Sequence, residues 1–201
     1  MSEEKSLEEV AEELKQIDGN VKAEVILVQR DYILYKEGEE GVRRLSERMN
    51  ELGADLSFEK IKSSSWEKEW KNSLMTVVAK EIFNWTEEDV FEMGRYSPRA
   101  SFFIKMMMQY VVSLDILFNS ANIFWKKQQD FGEIESVELN KEEKYAVVRI
   151  KDFHTHPLLC IYHAGYFKGV LEFVTKSKGV TVEEVECTHK GGRYHEYLIK
   201  W

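Results

Sequence analysis

The chain has 201 residues, 43% hydrophobic and 32% charged, with 36 acidic against 28 basic side chains and a formal net charge of -8. That length suits one substantial domain, or a small lobe fused to a larger one, and two prolines with no Ser/Gly tract exclude a long disordered linker. The acidic balance and the lack of any basic cluster denser than Lys126–Lys127 argue against nucleic-acid binding by this chain alone. No run reaches the roughly 18 apolar residues of a membrane span. The richest run is interrupted by Lys105 and Gln109. The acidic start lacks the apolar core of a signal peptide, so the expected location is the cytoplasm, with Cys160 and Cys187 reduced.

Ser6 and Glu9 form a capping box ahead of Leu7, Val10, Leu14 and Ile17, which recur at helical spacing until Gly19-Asn20. "AEVILVQ" fits a short buried strand or the start of another helix. "RDYILYKEGEEGVRRLSERMNELG" predicts two helical pieces broken around Gly38 and ending at Gly53. After the polar "IKSSS" a helix is expected to open at Trp66, its stripe made by Trp70, Leu74, Val77, Val78, Ile82 and Phe83. Thr86 caps the next helix with Asp89 as N3 partner, and Pro98 is placed at the first turn of a further one, "PRASFFIKMMMQYVV". "SLDILFNSANIFWKKQQ" continues helically.

Near Gly132 the periodicity changes. "GEIESVELNKEEKYAVVRIKD" predicts two strands around "NKEEK", Pro157 to Gly179 a helix, and "VTVEEVECTHKGGRYHEYLIKW" a closing hairpin turning at Gly191-Gly192. The expected class is therefore α+β: N-terminal helices on a four-stranded antiparallel sheet, built from a hairpin–helix–hairpin C-terminal third. Residues 1–60 are expected to be a helical lead-in packed on a main body, 61–201, as one unit.

Three groups of residues suggest function. Cys187 and His189 are two apart and would share a face of a strand, with His195 across the turn. Such a set could bind zinc, with Cys160, His163, His154 or His156 as the fourth ligand. The favoured reading is a half-buried strand cysteine beside two surface histidines, with less than stoichiometric metal. A catalytic thiolate is disfavoured, because Glu183, Glu184 and Glu186 beside Cys187 would raise its pKa. G-x-S-x-G, P-loop, G-x-G-x-x-G and H-E-x-x-H motifs are all absent, so no catalysis is expected. Second, Met106, Met107 and Met108 point around most of one helix, more than one packing face needs; a ligand pocket or a dimer face would explain them. Third, Gly165 and Gly169 stack on one helix face, each at a cost of about 1 kcal/mol in helix propensity. Close backbone approach to the sheet or to a ligand would account for them.

Taken together, "EMGRYSPRASF", "YHAGYFKGVLEFV" and "VECTHKGGRYHEYLIKW" resemble the 4-vinyl reductase-type small-molecule-binding domain, from about Met93 to Trp201. Its fold group includes haem–nitric oxide binding (H-NOX) domains and the TRAPP vesicle-tethering subunits. The resemblance implies a glycine-bearing last helix, matched by Gly165 and Gly169. It also implies a last hairpin with two cysteines; Cys187 fits the first and His195 stands where the second would be. The H-NOX branch implies haem held by a histidine on a helix ahead of the sheet. All five histidines here lie at or after His154, and "YSPR" misses the spaced Tyr-Ser-Arg set that grips haem propionates, so haem is not expected. The TRAPP branch implies an apolar channel and subunit pairing. The resulting expectation is a sensor-like domain binding an apolar or aromatic small molecule, acting as a homodimer without catalysis. Its pocket residues would be Phe102, Met106, Tyr110, Leu114, Tyr162, Gly165, Tyr166 and Gly169. The alternatives are a TRAPP-like interaction module and, more weakly, a metal-dependent enzyme using Cys187, His189 and His195.

Overall fold

The computed structural model describes residues 5–101, 104–106 and 113–201. Helix α1 (Leu7–Leu14) starts where Ser6 accepts from the Glu9 amide and Glu9 accepts from the Ser6 amide, and it buries Leu7, Ala11 and Leu14. "AEVILVQ" is helical: α2 spans Ala23–Glu51, broken at Gly38, whose φ of 72° and ψ of -174° leave the helical region. The kink falls where glycine tolerates positive φ at no steric cost.

Trp66 does not open a helix. Trp66–Lys68 form a short strand, β2, antiparallel to β1 (Asn20–Lys22), and α3 runs from Glu69 to Ile82. The Lys22 ammonium lies 4.0 Å from the Trp66 ring centroid, so cross-strand packing, not local periodicity, fixes these residues. Helix α4 (Glu87–Ala100) carries the Thr86/Asp89 capping box. Pro98 lies in its last turn and opens no further helix. The missing N–H of Pro98 forfeits only one bond there, and the helix ends two residues later. Helix α5 (Leu114–Gln128) is a separate helix capped by Ser113.

The four-stranded sheet is antiparallel throughout, in the order β3 (Glu133–Asn140), β4 (Tyr145–Lys151), β6 (His195–Lys200), β5 (Thr181–Glu186). Alternation divides its faces. Ala146, Val148 and Ile150 of β4 and His195, Tyr197 and Ile199 of β6 are buried on one face. On the other, Arg149 pairs with Glu135 and Glu196, and Lys151 with Glu135. Helix α6 (Pro157–Thr175) crosses the buried face, with Phe167 and Tyr197 ring centroids 5.0 Å apart. It ends at Lys176 in the left-handed region, short of Gly179. Among the described residues no helix is long and apolar enough to cross a membrane.

Helix α6 has α4 on its other side, at backbone contact. A methyl on Gly165 would land on the Phe91 carbonyl, one on Gly169 on the Arg95 carbonyl, and one on Gly94 on the Tyr162 carbonyl. The close approach that the paired glycines announce is thus to a helix, and neither the sheet nor a ligand. Ion pairs and a hydrogen bond tie the same seam. Arg95 reaches the buried Glu172 with two bonds of 2.9 Å, Arg99 adds one of 3.1 Å, and Ser97 and Tyr162 hydroxyls lie 2.6 Å apart.

Glu69, fully buried at the start of α3, accepts from Ser73 (2.8 Å) and Asn72 (3.1 Å). The network continues through Gln29 to Thr76. Burial outweighs these bonds and pushes the carboxyl from 4.5 up to about 7. The folded state therefore holds this proton more tightly than the unfolded chain does. Its contribution to stability is full below the unfolded value and is lost as pH rises through about 7. Urea unfolding of wild type and Glu69→Gln at pH 5 and pH 8 checks this: the variant should gain on wild type at the higher pH, by on the order of 1–3 kcal/mol. Parallel pH dependences would contradict it.

Candidate functional site

Between α2, α5, α6 and the buried face of the sheet lies a cavity of about 160 Å³. Its walls are mostly apolar. Leu117, Phe118, Ala121 and Trp125 enter from α5, Ile134, Val148 and Ile199 from the sheet, and Tyr162, Tyr166 and Phe167 from α6. A few polar groups interrupt them: Ser97 is bound to Tyr162, and Ser101 donates to Glu24 at 3.1 Å. His163 stands on α6 among the rings of Trp125, Phe153, Tyr162 and Phe167, with centroids 5.0–6.4 Å away. Burial drives its pKa down to about 3, with His195 adding to the shift, so the imidazole is neutral.

Of the expected pocket residues, Leu114, Tyr162 and Tyr166 line this cavity. Gly165 and Gly169 face α4, and Met106 is 40% exposed. Phe102, Tyr110, Met107 and Met108 lie outside the described residues. The sequence reading missed His163 as a cavity residue and used it only as a spare metal ligand. Its spacing from Tyr162, Tyr166 and Phe167 on one helix was the available signal.

A second group sits where the start of α6 meets the closing hairpin. Cys160, Glu184, Cys187 and His195 bring their ligand atoms within 4.8 Å of one another. The two sulfurs are 3.9 Å apart, Cys160 Sγ is 3.5 Å from His195 Nδ1, and that nitrogen is 3.0 Å from Glu184 Oε1. His189 does not join them. Strand β5 ends at Glu186, so His189 falls in a 3-10 turn (Thr188–Lys190), its ring centroid 5.5 Å from that of His195. The picture of a half-buried strand cysteine beside two surface histidines holds for His189, which is exposed, and is corrected for the other two: Cys187 is 5% exposed and His195 1%. Both residues lie on the side of the sheet covered by α6.

The hydrogen bonds orient His195. Its Nε2 is 2.9 Å from the Thr188 hydroxyl and 3.1 Å from the Phe153 carbonyl, and its Nδ1 faces the Glu184 carboxylate and the Cys160 thiol. Burial works to raise the Glu184 carboxyl, but bonds with His195 and both cysteines hold it below its usual value. Burial, with Glu184 and Cys187, pushes the Cys160 thiol far up, so without a cation it is a poor nucleophile. Tetrahedral ligands 2.0–2.3 Å from an ion stand roughly 3.3–3.8 Å from each other. The observed separations of 3.0, 3.5 and 3.9 Å straddle that spacing, with all four atoms within 4.8 Å of one another.

Comparison with protein-family profiles and with curated proteins finds no match. Solved structures do match in shape. An H-NOX protein from S. oneidensis in the Fe(II)NO state has a TM-score of 0.69 at 13% identity, over 89% of this chain and 98% of that one. The SO2144 H-NOX domain of Shewanella oneidensis in the Fe(II)CO state gives 0.67 at 13%, over 89% and 97%. An oxygen-binding H-NOX domain related to soluble guanylate cyclases gives 0.61 at 13%, over 89% and 94%. At such identities the likeness is one of fold: the chain has the H-NOX architecture.

Proposed function

We propose that this chain is a small-molecule-binding, sensor-like domain of the 4-vinyl reductase type, which takes an apolar molecule of about one ring in size between α5, α6 and the sheet. The carrying observation is the cavity itself, apolar and walled by aromatic side chains with a neutral imidazole among them. Pre-formed apolar cavities with few polar groups are the usual form of such sites.

The structural neighbours' names refer to iron-bound nitric oxide, carbon monoxide and oxygen, which raises the question of haem. The residues here do not fit it. Helix α5 carries no histidine, and every histidine lies at or after His154. Drug-sized ligands occupy pockets of roughly 300–1,000 Å³, and the cavity's 160 Å³ falls well below that. It is close in size to engineered apolar cavities of about 150 Å³ that take benzene or xenon.

A ligand of that class should stabilise the protein by mass action. Toluene is expected to raise the melting temperature of wild type by a few degrees. In Ala121→Phe, whose ring fills the cavity, the rise should vanish while the circular dichroism spectrum stays unchanged. A wild type indifferent to toluene and to other single-ring hydrocarbons would sink the reading.

The second group supports a second reading, a structural zinc ion held by Cys160, Glu184, Cys187 and His195. Its support is the convergence of two thiols, an imidazole nitrogen and a carboxylate oxygen within 4.8 Å of one another, on residues of which three are buried. The Phe153 carbonyl would act as the outer partner that fixes the ring's tautomer. Protein purified with zinc present should contain about one ion per chain. Cys160→Ala should lower both metal content and melting temperature, and a strong chelator should destabilise wild type alone. Metal-free wild type with unchanged stability would rule the ion out.

A further inference from the structure

Two residues of the cavity wall, Leu114 and Trp201, also line an open hollow beside it, whose other walls are Ser113, Lys144, Val174, Thr175 and Ser177. Three parts of the fold meet there: the Ser113 cap of α5, the turn between β3 and β4, and the end of α6. The chemistry changes from one compartment to the next, since hydroxyls and an ammonium replace the aromatic rings. Several acceptors of the hollow are already claimed. Thr175 donates its hydroxyl to the Leu171 carbonyl at 2.7 Å and accepts from the Ser177 amide at 3.2 Å. The Lys144 carbonyl accepts from the Trp201 amide at 3.1 Å. The donors are not claimed. The Ser113 and Ser177 hydroxyls only accept, from the Ile116 and Gly179 amides, so each keeps a proton to give. Among the described residues no carboxylate is paired with Lys144, whereas Lys141 in the same turn is held by Asp115 at 3.0 Å.

An apolar compartment beside one that offers two hydroxyl protons and a positive charge suits an amphipathic molecule. We infer that the ligand of this domain is an aryl carboxylate, whose ring occupies the apolar cavity and whose short arm runs past Leu114 and Trp201 into the hollow. There Lys144 supplies the counter-charge, and the Ser113 and Ser177 hydroxyls donate to the carboxylate oxygens. An ionised carboxylate is acceptor-only and takes several donors at once, and bonds to an ionised group are stronger than neutral ones. Because the hollow is open, the carboxylate keeps part of its water and avoids the cost of burying a charge. This rests on the cavity being a ligand site, and it narrows the ligand class from apolar rings in general to rings with an anionic arm. A bare hydrocarbon leaves the three donors to water, and an alkylammonium arm meets the like charge of Lys144.

The phenyl-substituted acids from phenylacetate to 5-phenylpentanoate test it against their primary amides, because each acid and its amide share a shape and differ in charge. Titration calorimetry on wild type at low salt should give at least one acid about fivefold tighter binding than its amide. That preference should shrink at roughly 0.5 M salt, where charges in an open site are screened. In Lys144→Gln it should fall to near unity while the amide binds as before, and in Lys144→Glu it should invert. Lys144 is exposed in a turn, so both variants should keep the wild-type melting temperature. No acid preferred over its amide at any arm length, or a preference that survives Lys144→Glu, would overturn the anionic arm and leave the apolar cavity standing. If toluene, the acids and the amides all fail to bind wild type, the pocket reading itself falls, and this inference with it.

Discussion

The structure depends on one contact, the meeting of two helix backbones. Gly94 on α4 and Gly165 and Gly169 on α6 leave no room for a methyl, and each faces a carbonyl of the opposite helix. Glycine in a helix costs about 1 kcal/mol against alanine, so three in one seam mark a position held for packing. The seam brings the polar groups of both helices into reach as well. Glu172 becomes buried against Arg95 and Arg99, and Tyr162 meets Ser97. With α6 pinned on that side, its remaining surface is committed to the sheet and to α5.

Both candidate sites follow from that placement. The first turns of α6 present Cys160 to the closing hairpin, where Glu184, Cys187 and His195 await it. The next turns present Tyr162, His163 and Tyr166 to the cavity. Phe153 joins the two, its ring against His163 and His195 and its carbonyl on His195. Phe153 thus packs against a residue of each candidate site.

Much of the architecture was legible in the sequence because its signals are local. The capping boxes at Ser6 and Thr86, the break at Gly38 and the alternation through Val148 and Ile150 each depend on a few neighbouring residues. What local pattern could not supply was pairing across long separations. Trp66 matches a helical stripe, yet its partner is Lys22, and the strand they form displaced the helix start. Pro98 suits a first turn as well as a last one. The glycine pair announced a close approach without naming the surface approached. In the hairpin the sequence marks Cys187, His189 and His195 as candidate ligands while favouring a site without stoichiometric metal, and it shows Glu184 only as a charge that disfavours a thiolate. The separation from Glu184 to Cys187 matters only once the bulge between Glu184 and Glu186 and the turn at Gly191 bend the strand end over Cys160.

The most direct test of this account is Gly165→Ala, measured for melting temperature and for binding of a single-ring hydrocarbon. Helix propensity alone favours alanine by about 1 kcal/mol, whereas overpacking a filled interior costs about 1–3 kcal/mol. Here the added methyl meets the Phe91 carbonyl, a backbone atom that cannot rotate away. The account predicts that the clash wins: the variant melts several degrees lower and binds the probe more weakly, because α6 must back away from α4 into the cavity. A variant that melts higher than wild type and binds as before would contradict it, for the seam would then not be what sets the position of α6.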